Sequence, residues 1–230
     1  MIGIIGAMDI EVEFIKSKVC NSVIEVISGI SFYSGEIEGK KAVVATCGIG
    51  KVNAAICAQI MIIKYNIKML INFGVAGALS PNVKIGDVVI GNKTVQYDMD
   101  LSGLGSPKGH IPGIDVINFI SSKKIVDKSI IASNEANLNI KVHLGTIATG
   151  DKFLNDDNIK HKIATEFNAI ACDMETASMA HVCFVNNIEF GVIRAISDNA
   201  GNDSDIDFEN FLKLAMENIA KLFDYLWNEV

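Results

Sequence analysis

The sequence predicts an α/β fold organised as one domain, residues 1–230. Short, mainly apolar runs such as 2–5, 69–73 and 190–196 are typical of strands buried on both faces of a sheet. Several of these runs are followed by stretches with helical periodicity, the alternation that α/β folds require. The 230 residues show no internal repeat, no low-complexity segment and no linker, so one domain is the simplest account.

The predicted elements follow one another with turn residues between them. Strands are expected at residues 2–5, 23–28, 32–37, 42–46, 69–73, 86–90, 143–149, 169–171 and 190–196. Helices are expected at residues 9–15, 52–65, 114–136, 159–167, 173–185 and 208–226. Residues 98–113 are rich in glycine and proline and predict a long loop, which is usually a lid, an interface or a disordered insertion.

Local signals justify the individual elements. The first strand is an uninterrupted apolar run, and the helix after it has apolar residues at 10, 14 and 15. Ser28-Gly29 and Glu38-Gly39 supply the turns that separate the next three strands. The last helix carries a regular helical stripe of apolar residues between positions 208 and 226.

The composition limits the possible functions. Half of the residues are apolar and a fifth are charged, which supports a sizeable core and disfavours disorder. The net charge is −7, from 20 basic and 27 acidic residues, and no basic patch stands out. We therefore expect neither nucleic acid nor an anionic membrane as a partner. The four histidines lack metal-ligand spacing, so no metal or cofactor is predicted.

Three further features predict a cytoplasmic protein. The five cysteines form no CxxC pair and lie mostly in apolar runs, as free thiols do in a reducing cytosol. The N-terminus has no basic leader before its first apolar run. The longest apolar stretches are well short of the ~20 residues needed to cross a bilayer.

Two glycine-containing stretches approach nucleotide-binding motifs without completing them. Residues 48–51 read Gly-Ile-Gly-Lys before a predicted helix, but a Walker loop requires glycine at Ala45 and serine or threonine at Val52. Residues 3–6 lack the first glycine of a dinucleotide fingerprint, because Met1 occupies that position. The sequence therefore argues against binding of nucleoside triphosphates and NAD.

The stretch 172–178 is the leading candidate for a ligand site. It places Asp173, Met174 and Glu175 at a strand-to-helix turn, and ligands of α/β folds bind at such turns. Helix chemistry explains the same residues without a ligand, since Asp173 is a plausible N-cap and Glu175 suits the helix dipole. Both interpretations remain open on helix grounds alone.

Charged residues near other strand ends are further candidates. Arg194 and Asp198 share one face of the last strand but lie about 13 Å apart at about 3.3 Å per residue, so they cannot easily pair directly. Each needs another partner, because an unpaired buried charge is costly. We expect them to line a polar pocket with Glu175, unless Asp198 only caps the strand. Glu11, just after the first strand, is a third candidate, although a single glutamate is more often a solvated surface carboxylate; Glu13 on the same helix is its solvated control.

Six motifs in register cover nearly the whole chain. They are Gly3-Ile4-Ile5-Gly6-Ala7-Met8 with Glu11, Gly48-Ile49-Gly50-Lys51, Gly74-Val75-Ala76-Gly77, Gly150-Asp151-Lys152-Phe153, Asp173-Met174-Glu175 and Arg194-Ala195-Ile196-Ser197-Asp198. Together they resemble the 5'-methylthioadenosine/S-adenosylhomocysteine nucleosidases of the purine nucleoside phosphorylase superfamily. The resemblance implies a three-layer α/β/α sandwich with a central mixed β-sheet, working as a homodimer. It also implies hydrolysis of the N-glycosidic bond of adenine nucleosides, with water as co-substrate and no cofactor.

The resemblance assigns the bond-breaking roles to residues at opposite ends of the sequence. Asp198 matches the general acid that protonates N7 of adenine, and Glu11 matches the base that activates water. Ser197 would position Asp198, and Arg194 would lie near the water and the acids. An acid on the purine side and a carboxylate on the water side suit a transition state with oxocarbenium character, as in inverting glycosidases.

The remaining roles concern substrate binding. Glu175 would hold the ribose hydroxyls, Met174 would lie against the ribose, Phe153 would stack on adenine, and the backbone of Leu154 would read its edge. The other positions that the resemblance implies are Met8, Ile49, Val75, Asp173 and Phe208. Val75 replaces the serine of many family members, and the 98–113 loop lacks their aromatic residues, so the preferred 5'-substituent is open.

Two alternatives differ in chemistry. A purine nucleoside phosphorylase would use phosphate, which needs a basic cradle, whereas the loop after the first strand offers acids and no arginine. A non-catalytic nucleoside-binding protein would keep the fold and lose turnover. The presence of Glu11, Glu175 and Asp198 argues against this second alternative.

Overall fold

The computed structural model describes residues 1–136, 140–198 and 205–230; of residues 205–211 and 214 it describes the backbone alone. Within these ranges the chain forms ten strands, six helices and a short 3₁₀ helix, Ser102–Leu104. The strands are β1 Ile2–Gly6, β2 Cys20–Ile27, β3 Ile30–Ile37, β4 Lys40–Thr46, β5 Met69–Ala78, β6 Val88–Gln96, β7 Asn118–Ile120, β8 Val142–Thr149, β9 Ala169–Asp173 and β10 Glu189–Asp198. The helices are α1 Asp9–Lys16, α2 Lys51–Tyr65, α3 Lys123–Glu135, α4 Asp157–Phe167, α5 Thr176–Val185 and α6 Asp205–Glu229.

The strands form one mixed sheet that is partly closed. Its order is β10-β6-β8-β9-β5-β1-β4-β3-β2, with β7 added to β6. Strand β10 also pairs with β5, so β5, β9, β8, β6 and β10 form a ring from which β1, β4, β3 and β2 extend as a wing. Strands β4, β1, β5 and β10 run parallel, and their carboxyl ends therefore meet at one edge of the sheet.

Helices cover both faces of the sheet because successive strand residues point to opposite sides. In β1, Ile5 packs with residues of α2 and α5, whereas its neighbour Ile4 packs with residues of α1, α3 and α6. Leu70 and Ile71 of β5 divide in the same way. Helix α4 packs in a third cluster against β8 and β9. The predicted three-layer arrangement around a mixed sheet is confirmed.

The structure corrects the predicted helix 114–136. Residues 118–120 are strand β7, paired with residues 93–95 of β6, and helix α3 begins at Lys123. The preceding turn ends with Gly113 and Asp115 in the left-handed region, at φ 88° and 57°, which a continuous α-helix excludes. Pairing with an existing strand therefore outweighs the local helical pattern. The other predicted elements are present, most of them with their boundaries moved by a few residues.

No helix in the described part of the chain combines the length and the apolar character needed to cross a membrane.

Candidate active site

A cavity of about 180 Å³ opens where the carboxyl ends of β1, β5 and β10 meet the end of β9. The register explains the convergence: Arg194 lies beside Gly74, Asp198 beside Gly77, and Gly77 also faces Cys172. Each of these strand ends leads into one of the sequence motifs. Residues distant in sequence therefore surround the same cavity.

Most of the predicted site residues line this cavity. Those that do are Met8, Glu11, Ile49, Val75, Phe153, Asp173, Met174, Glu175, Ser197 and Asp198. Leu154 instead borders a small adjoining cavity of about 40 Å³, and its side chain is buried against α4. Arg194 lies behind the cavity wall. Phe208 lies in helix α6, but its side chain is outside the described residues.

Sequence reasoning missed four lining residues: Ala7, Ala76, Gly77 and Cys172. Small side chains and a buried thiol carry no chemical signal of a site. Their neighbours within the motifs were the available indication. Gly77 is required by space, because a Cβ there would lie 3.0 Å from both carboxylate oxygens of Asp198.

Glu11 is buried, with 2% of its surface exposed, whereas Glu13 on the same helix is exposed. Its Oε2 accepts hydrogen bonds from the backbone N–H groups of Ala7 at 2.6 Å and Met8 at 2.9 Å, and its Oε1 accepts one from Val75 at 2.9 Å. Burial raises the pKa of Glu11, against the opposing effects of Arg194 and these three donors. Glu11 is therefore a fixed carboxylate with a raised proton affinity.

Arg194 lies behind the cavity wall and neutralises part of the negative charge of the carboxylates that line the cavity. Its Nε donates to Asp173 Oδ2 at 2.9 Å, and its Nη2 donates to Asn72 Oδ1 at 2.5 Å and to Thr176 Oγ1 at 2.7 Å. Its Nη1 is buried without a hydrogen-bond partner among the described residues. Gly74 has no side chain, and this leaves room for Nη1 to lie near the Glu11 carboxylate. A Cβ on Gly74 would collide with both Nη1 and Oε1 of Glu11. An unfilled donor thus faces the base candidate.

Asp173 is mainly an ion-pair partner of Arg194 and not the N-cap of α5, a position that Glu175 occupies. It does accept a long hydrogen bond, 3.3 Å, from the backbone N–H of Thr176, the first residue of α5. Its shorter contacts are with Arg194, at 2.8 Å, with the Thr149 hydroxyl, at 2.6 Å, and with the Thr176 hydroxyl. Charge neutralisation in a buried place decides the orientation of this carboxylate.

Glu175 contacts the start of α2 as well as preceding α5. Its Oε1 accepts the backbone N–H of Gly50 at 2.8 Å. Burial and the charge of Asp173 raise the pKa of Glu175 to about 7, although Arg194 and the Gly50 donor oppose this shift. One oxygen of this carboxylate is held by the backbone, and the residue lines the cavity with Met174.

Asp198 lines the same cavity as Glu11 in a less buried setting. Its side chain is 25% exposed, and its Oδ2 lies 3.2 Å from the ammonium of Lys160 on α4. The Ser197 hydroxyl donates to Oδ1 at 3.4 Å. Phe153 stands at the cavity mouth with 65% of its surface exposed. An exposed aromatic ring at the mouth of a cavity is available to stack on a planar ligand.

The described residues offer no metal centre, and a second, larger groove on the surface lacks the charged side chains of the cavity. Within the described residues, no group of three or more His, Cys, Asp or Glu side chains could hold a metal ion. The groove, of about 490 Å³, is bordered by Ile, Phe, Val, Cys and Asn residues between β7 and α5. It has no carboxylate or basic side chain in its described lining, whereas the smaller cavity has four carboxylates.

This fold is that of a known class. A model of the phosphorylase superfamily matches residues 1–227. A 5'-methylthioadenosine/S-adenosylhomocysteine nucleosidase of Anoxybacillus flavithermus is 36% identical and covers 100% of this chain and 98% of the relative. One from Staphylococcus aureus is also 36% identical, over 100% of both chains. The chain therefore belongs to the phosphorylase superfamily and, within it, to the 5'-methylthioadenosine/S-adenosylhomocysteine nucleosidase family.

Solved structures agree. The Neisseria meningitidis 5'-methylthioadenosine/S-adenosylhomocysteine nucleosidase in complex with methylthio-immucillin-A has a TM-score of 0.94 and 33% identity, covering 100% of this chain and 99% of that one. The Colwellia psychrerythraea enzyme in complex with adenine has a TM-score of 0.93 and 31% identity, with coverage of 99% and 94%. A futalosine hydrolase of Helicobacter pylori has a TM-score of 0.92 and 32% identity, with coverage of 100% and 97%.

Proposed function

We propose that the chain hydrolyses the N-glycosidic bond of 5'-methylthioadenosine, S-adenosylhomocysteine or a related 5'-substituted adenosine, and that it releases adenine. The observation that carries the proposal is one cavity lined by both Glu11 and Asp198, from opposite ends of the sequence. Family membership supports the reaction, and the adenine complex of the Colwellia relative supports the leaving base.

The mechanism assigns one carboxyl group to each end of the breaking bond. Asp198 donates its proton to N7 of the purine as the C1'–N9 bond breaks. The electron pair of that bond moves to the purine. The water oxygen forms the new bond to C1', and Glu11 accepts a proton from this water. The raised pKa of Glu11 makes it a stronger base than an exposed glutamate. The unfilled Nη1 of Arg194 lies beside Glu11, where it can help to hold that water.

Substrate contacts follow from the remaining cavity wall. Glu175, held through one oxygen by Gly50, is suited to accept the ribose hydroxyls, and Met174 to pack against the sugar. Phe153 at the mouth would stack on the purine, with the backbone of Leu154 at its edge. Asp173 acts through Arg194, and Ser197 acts through Asp198. Met8, Ile49 and Val75 would line the sugar and its 5'-substituent.

Water is favoured over phosphate as the nucleophile. The cavity lining contains Glu11, Asp173, Glu175 and Asp198 and no lysine or arginine among its described residues. Phosphate binding needs cationic donors, and a cavity with four carboxylates repels a dianion. Strict dependence of adenine release on phosphate would overturn this assignment and favour a phosphorylase.

The testing experiment is a turnover screen in phosphate-free buffer. The panel is methylthioadenosine, S-adenosylhomocysteine, 5'-deoxyadenosine, adenosine and inosine, with futalosine added because of the Helicobacter relative. We expect release of adenine from at least one 5'-substituted adenosine. Binding of the panel without any turnover would support a non-catalytic nucleoside-binding protein instead. The 5'-substituent itself is left to this screen, since Val75 and the 98–113 loop depart from many family members.

Asp198→Asn tests the general acid. An asparagine fills nearly the same volume but has no acidic proton to transfer, so adenine release should fall by about 10²- to 10⁴-fold while the unfolding temperature stays near that of wild type. Initial rates and thermal unfolding monitored by circular dichroism measure both. A fully active variant would contradict the role of Asp198.

We further propose a homodimer that works in the cytoplasm and serves methionine salvage. Exposed apolar side chains support the dimer: Val52, Ile56 and Ile63 project from one face of α2, and Leu104 projects from the following long loop. The free cysteines, of which four are buried, suit a reducing compartment. The reaction itself suits salvage, because it frees adenine from the sulfur-bearing sugar.

A further inference from the structure

We propose that Lys160 is a positioning residue for the proposed reaction: its ammonium holds the Asp198 carboxyl in place and stabilises the carboxylate that remains after proton transfer. This inference rests on the proposed function, because it acts through the proposed general acid. Lys160 lies in none of the six motifs, and a charged residue on a helix is usually solvated. The structure gives a different setting.

Lys160 is buried although it lies on a surface helix. Only 4% of the residue is exposed, and its neighbours on α4, His161 and Lys162, are exposed. The helix begins firmly, since the Asp156 side chain accepts the backbone N–H groups of Asn158 and Ile159. A buried ammonium is costly unless it is paired. Its contact with Asp198 Oδ2, at 3.2 Å, gives the ammonium a carboxyl oxygen as acceptor before the reaction and a full opposite charge once Asp198 has given up its proton.

The Asp198 carboxyl needs such support. It ends strand β10 just after an irregularity in the register between Ile196 and Asp198, so regular strand pairing does not fix it. The Ser197 contact at 3.4 Å is long for an O–H···O hydrogen bond, whereas the Lys160 contact is shorter and charge-assisted. Gly77 lies directly behind the carboxyl and leaves it room to rotate. Lys160 restricts that rotation through one oxygen.

The chemistry of the step gives Lys160 a second effect. When Asp198 transfers its proton to the purine, its carboxyl becomes an anion within hydrogen-bond distance of the ammonium. The ammonium of Lys160 stabilises the negative charge that develops on Asp198. Among the described residues that line the two adjoining cavities, Lys160 is absent, so it acts on Asp198 and not on the nucleoside.

The test compares Lys160→Met, Lys160→Arg and Lys160→Gln with the matched control Lys162→Met on the same helix. We expect Lys160→Met to lower kcat by about 10- to 100-fold, a part of the roughly 10²- to 10⁴-fold that a general acid contributes, with KM changed less than about threefold. Lys160→Arg should recover most of kcat because it keeps the charge, and Lys160→Gln should not. Lys162→Met should match wild type.

A double-mutant cycle separates positioning from a structural role. Single-turnover rates are measured for Asp198→Asn with and without Lys160→Met, together with unfolding temperatures and adenine binding by calorimetry. If Lys160 acts through Asp198, its loss should have almost no effect in the Asp198→Asn background. An equal loss in both backgrounds, or wild-type kcat in Lys160→Met, overturns the inference. Failure of the proposed function is distinct, because wild type itself would then release no adenine.

Discussion

The carboxylate of Glu11 is held by three backbone N–H groups, from Ala7, Met8 and Val75, and these donors belong to two different strand ends. A carboxylate fixed in this way cannot rotate to follow a substrate. A water molecule must therefore come to the carboxylate. The space beside Gly74, next to the Arg194 Nη1 that has no hydrogen-bond partner among the described residues, is where such a water could bind. At the scale of the residue, the site works by fixing charges in advance.

Glu11→Gln tests this residue against Glu13→Gln. The amide cannot accept a proton, and its NH₂ group would face backbone donors, so we expect adenine release to fall by about 10²-fold or more, with some loss of stability. Glu13 is exposed, and its variant should match wild type. Initial rates and thermal unfolding provide the measurement. Equal effects of the two substitutions would contradict a specific role for Glu11.

Glu175 predicts a pH dependence of stability. Its pKa is about 7 in the folded chain against an ordinary value of 4.5, so between these values the folded state binds more protons than the unfolded state. Stability from this group therefore falls as the pH rises from about 4.5 to 7. Glu175→Gln, which keeps an acceptor for Gly50, should gain on the order of 2 kcal/mol relative to wild type between pH 5 and pH 8.

Urea unfolding of both proteins at the two pH values measures this difference, with Glu13→Gln as the control. A pH-independent difference between Glu175→Gln and wild type would contradict the raised pKa. The same variant should raise KM, because the proposed partner of the ribose hydroxyls loses its charge.

The roles of single residues were predictable from the sequence where the residue belongs to a motif. They were not predictable where tertiary packing alone gives the residue its partner. The role of Glu11 came from the motif resemblance, since a single glutamate is more often solvated. The need of Arg194 for a partner other than Asp198 followed from strand spacing and the cost of a buried charge. The identity of that partner did not: Asp173 faces Arg194 because β9 crosses to β5 at Gly77, a tertiary pairing that no local pattern encodes. Lys160 was invisible for the same reason.

Strand β5 is the element on which the site depends. It pairs with β1, β9 and β10, and so it sets the register of three motif-bearing segments at once. Its end carries glycines where neighbouring side chains pass closely. Gly74 makes room for the Arg194 guanidinium and the Glu11 carboxylate, and Gly77 makes room for Asp198. Backbone without side chains is therefore what lets charged groups from other elements meet.

Gly74→Ala tests this element, with Gly103→Ala as the control. The new methyl group would displace Glu11 and Arg194, so we expect a stability loss of about 1–3 kcal/mol, the usual cost of overpacking, and at least a tenfold loss of adenine release. Gly103 lies in the long loop, where a methyl group would meet no atom within 4 Å, and its variant should behave as wild type. Normal activity of Gly74→Ala would contradict this prediction, because it would show that Glu11 and Arg194 can shift without loss of adenine release.

At the scale of elements, the sequence predicted strands and helices where apolar periodicity is strong. It failed at residues 114–122, where helical periodicity competes with a partner strand. The three residues of β7 gain pairing with β6 that the sequence cannot reveal, and Asp115 in the left-handed region blocks the helix locally. Boundary shifts elsewhere reflect pairing that extends strands beyond their apolar centres, as at β5.

The whole molecule leaves one apolar face of α2 in solvent. Val52, Ile56 and Ile63 project from it, and Lys51 at its first turn pairs with Asp98 at the start of the long loop. The cavity mouth lies at the same end of α2, since Ile49 borders both the cavity and solvent. A second copy docked on this face would shelter apolar surface and border the entrance to the site.

Val52→Asp tests the dimer. A buried carboxylate in an apolar interface is unfavourable, so the variant should sediment as a monomer at concentrations where wild type is a dimer. Val26→Asp is the control, because Val26 is equally exposed, at 67% against 69%, but lies on β2 at the far edge of the sheet. Analytical ultracentrifugation gives the masses. A dimer that survives Val52→Asp would place the interface elsewhere.

The closed ring of strands has a consequence for how the protein becomes active. Its closing strand, β10, pairs with β5 from roughly 120 positions further along the chain, and such high contact order makes closure slow. Everything before β10 can collapse earlier, yet Arg194 and Asp198 arrive only with that strand. On dilution from urea, adenine release should therefore recover with the slowest folding phase, after most far-ultraviolet circular dichroism has returned. Activity that reappears before this phase would mean that the ring closes early.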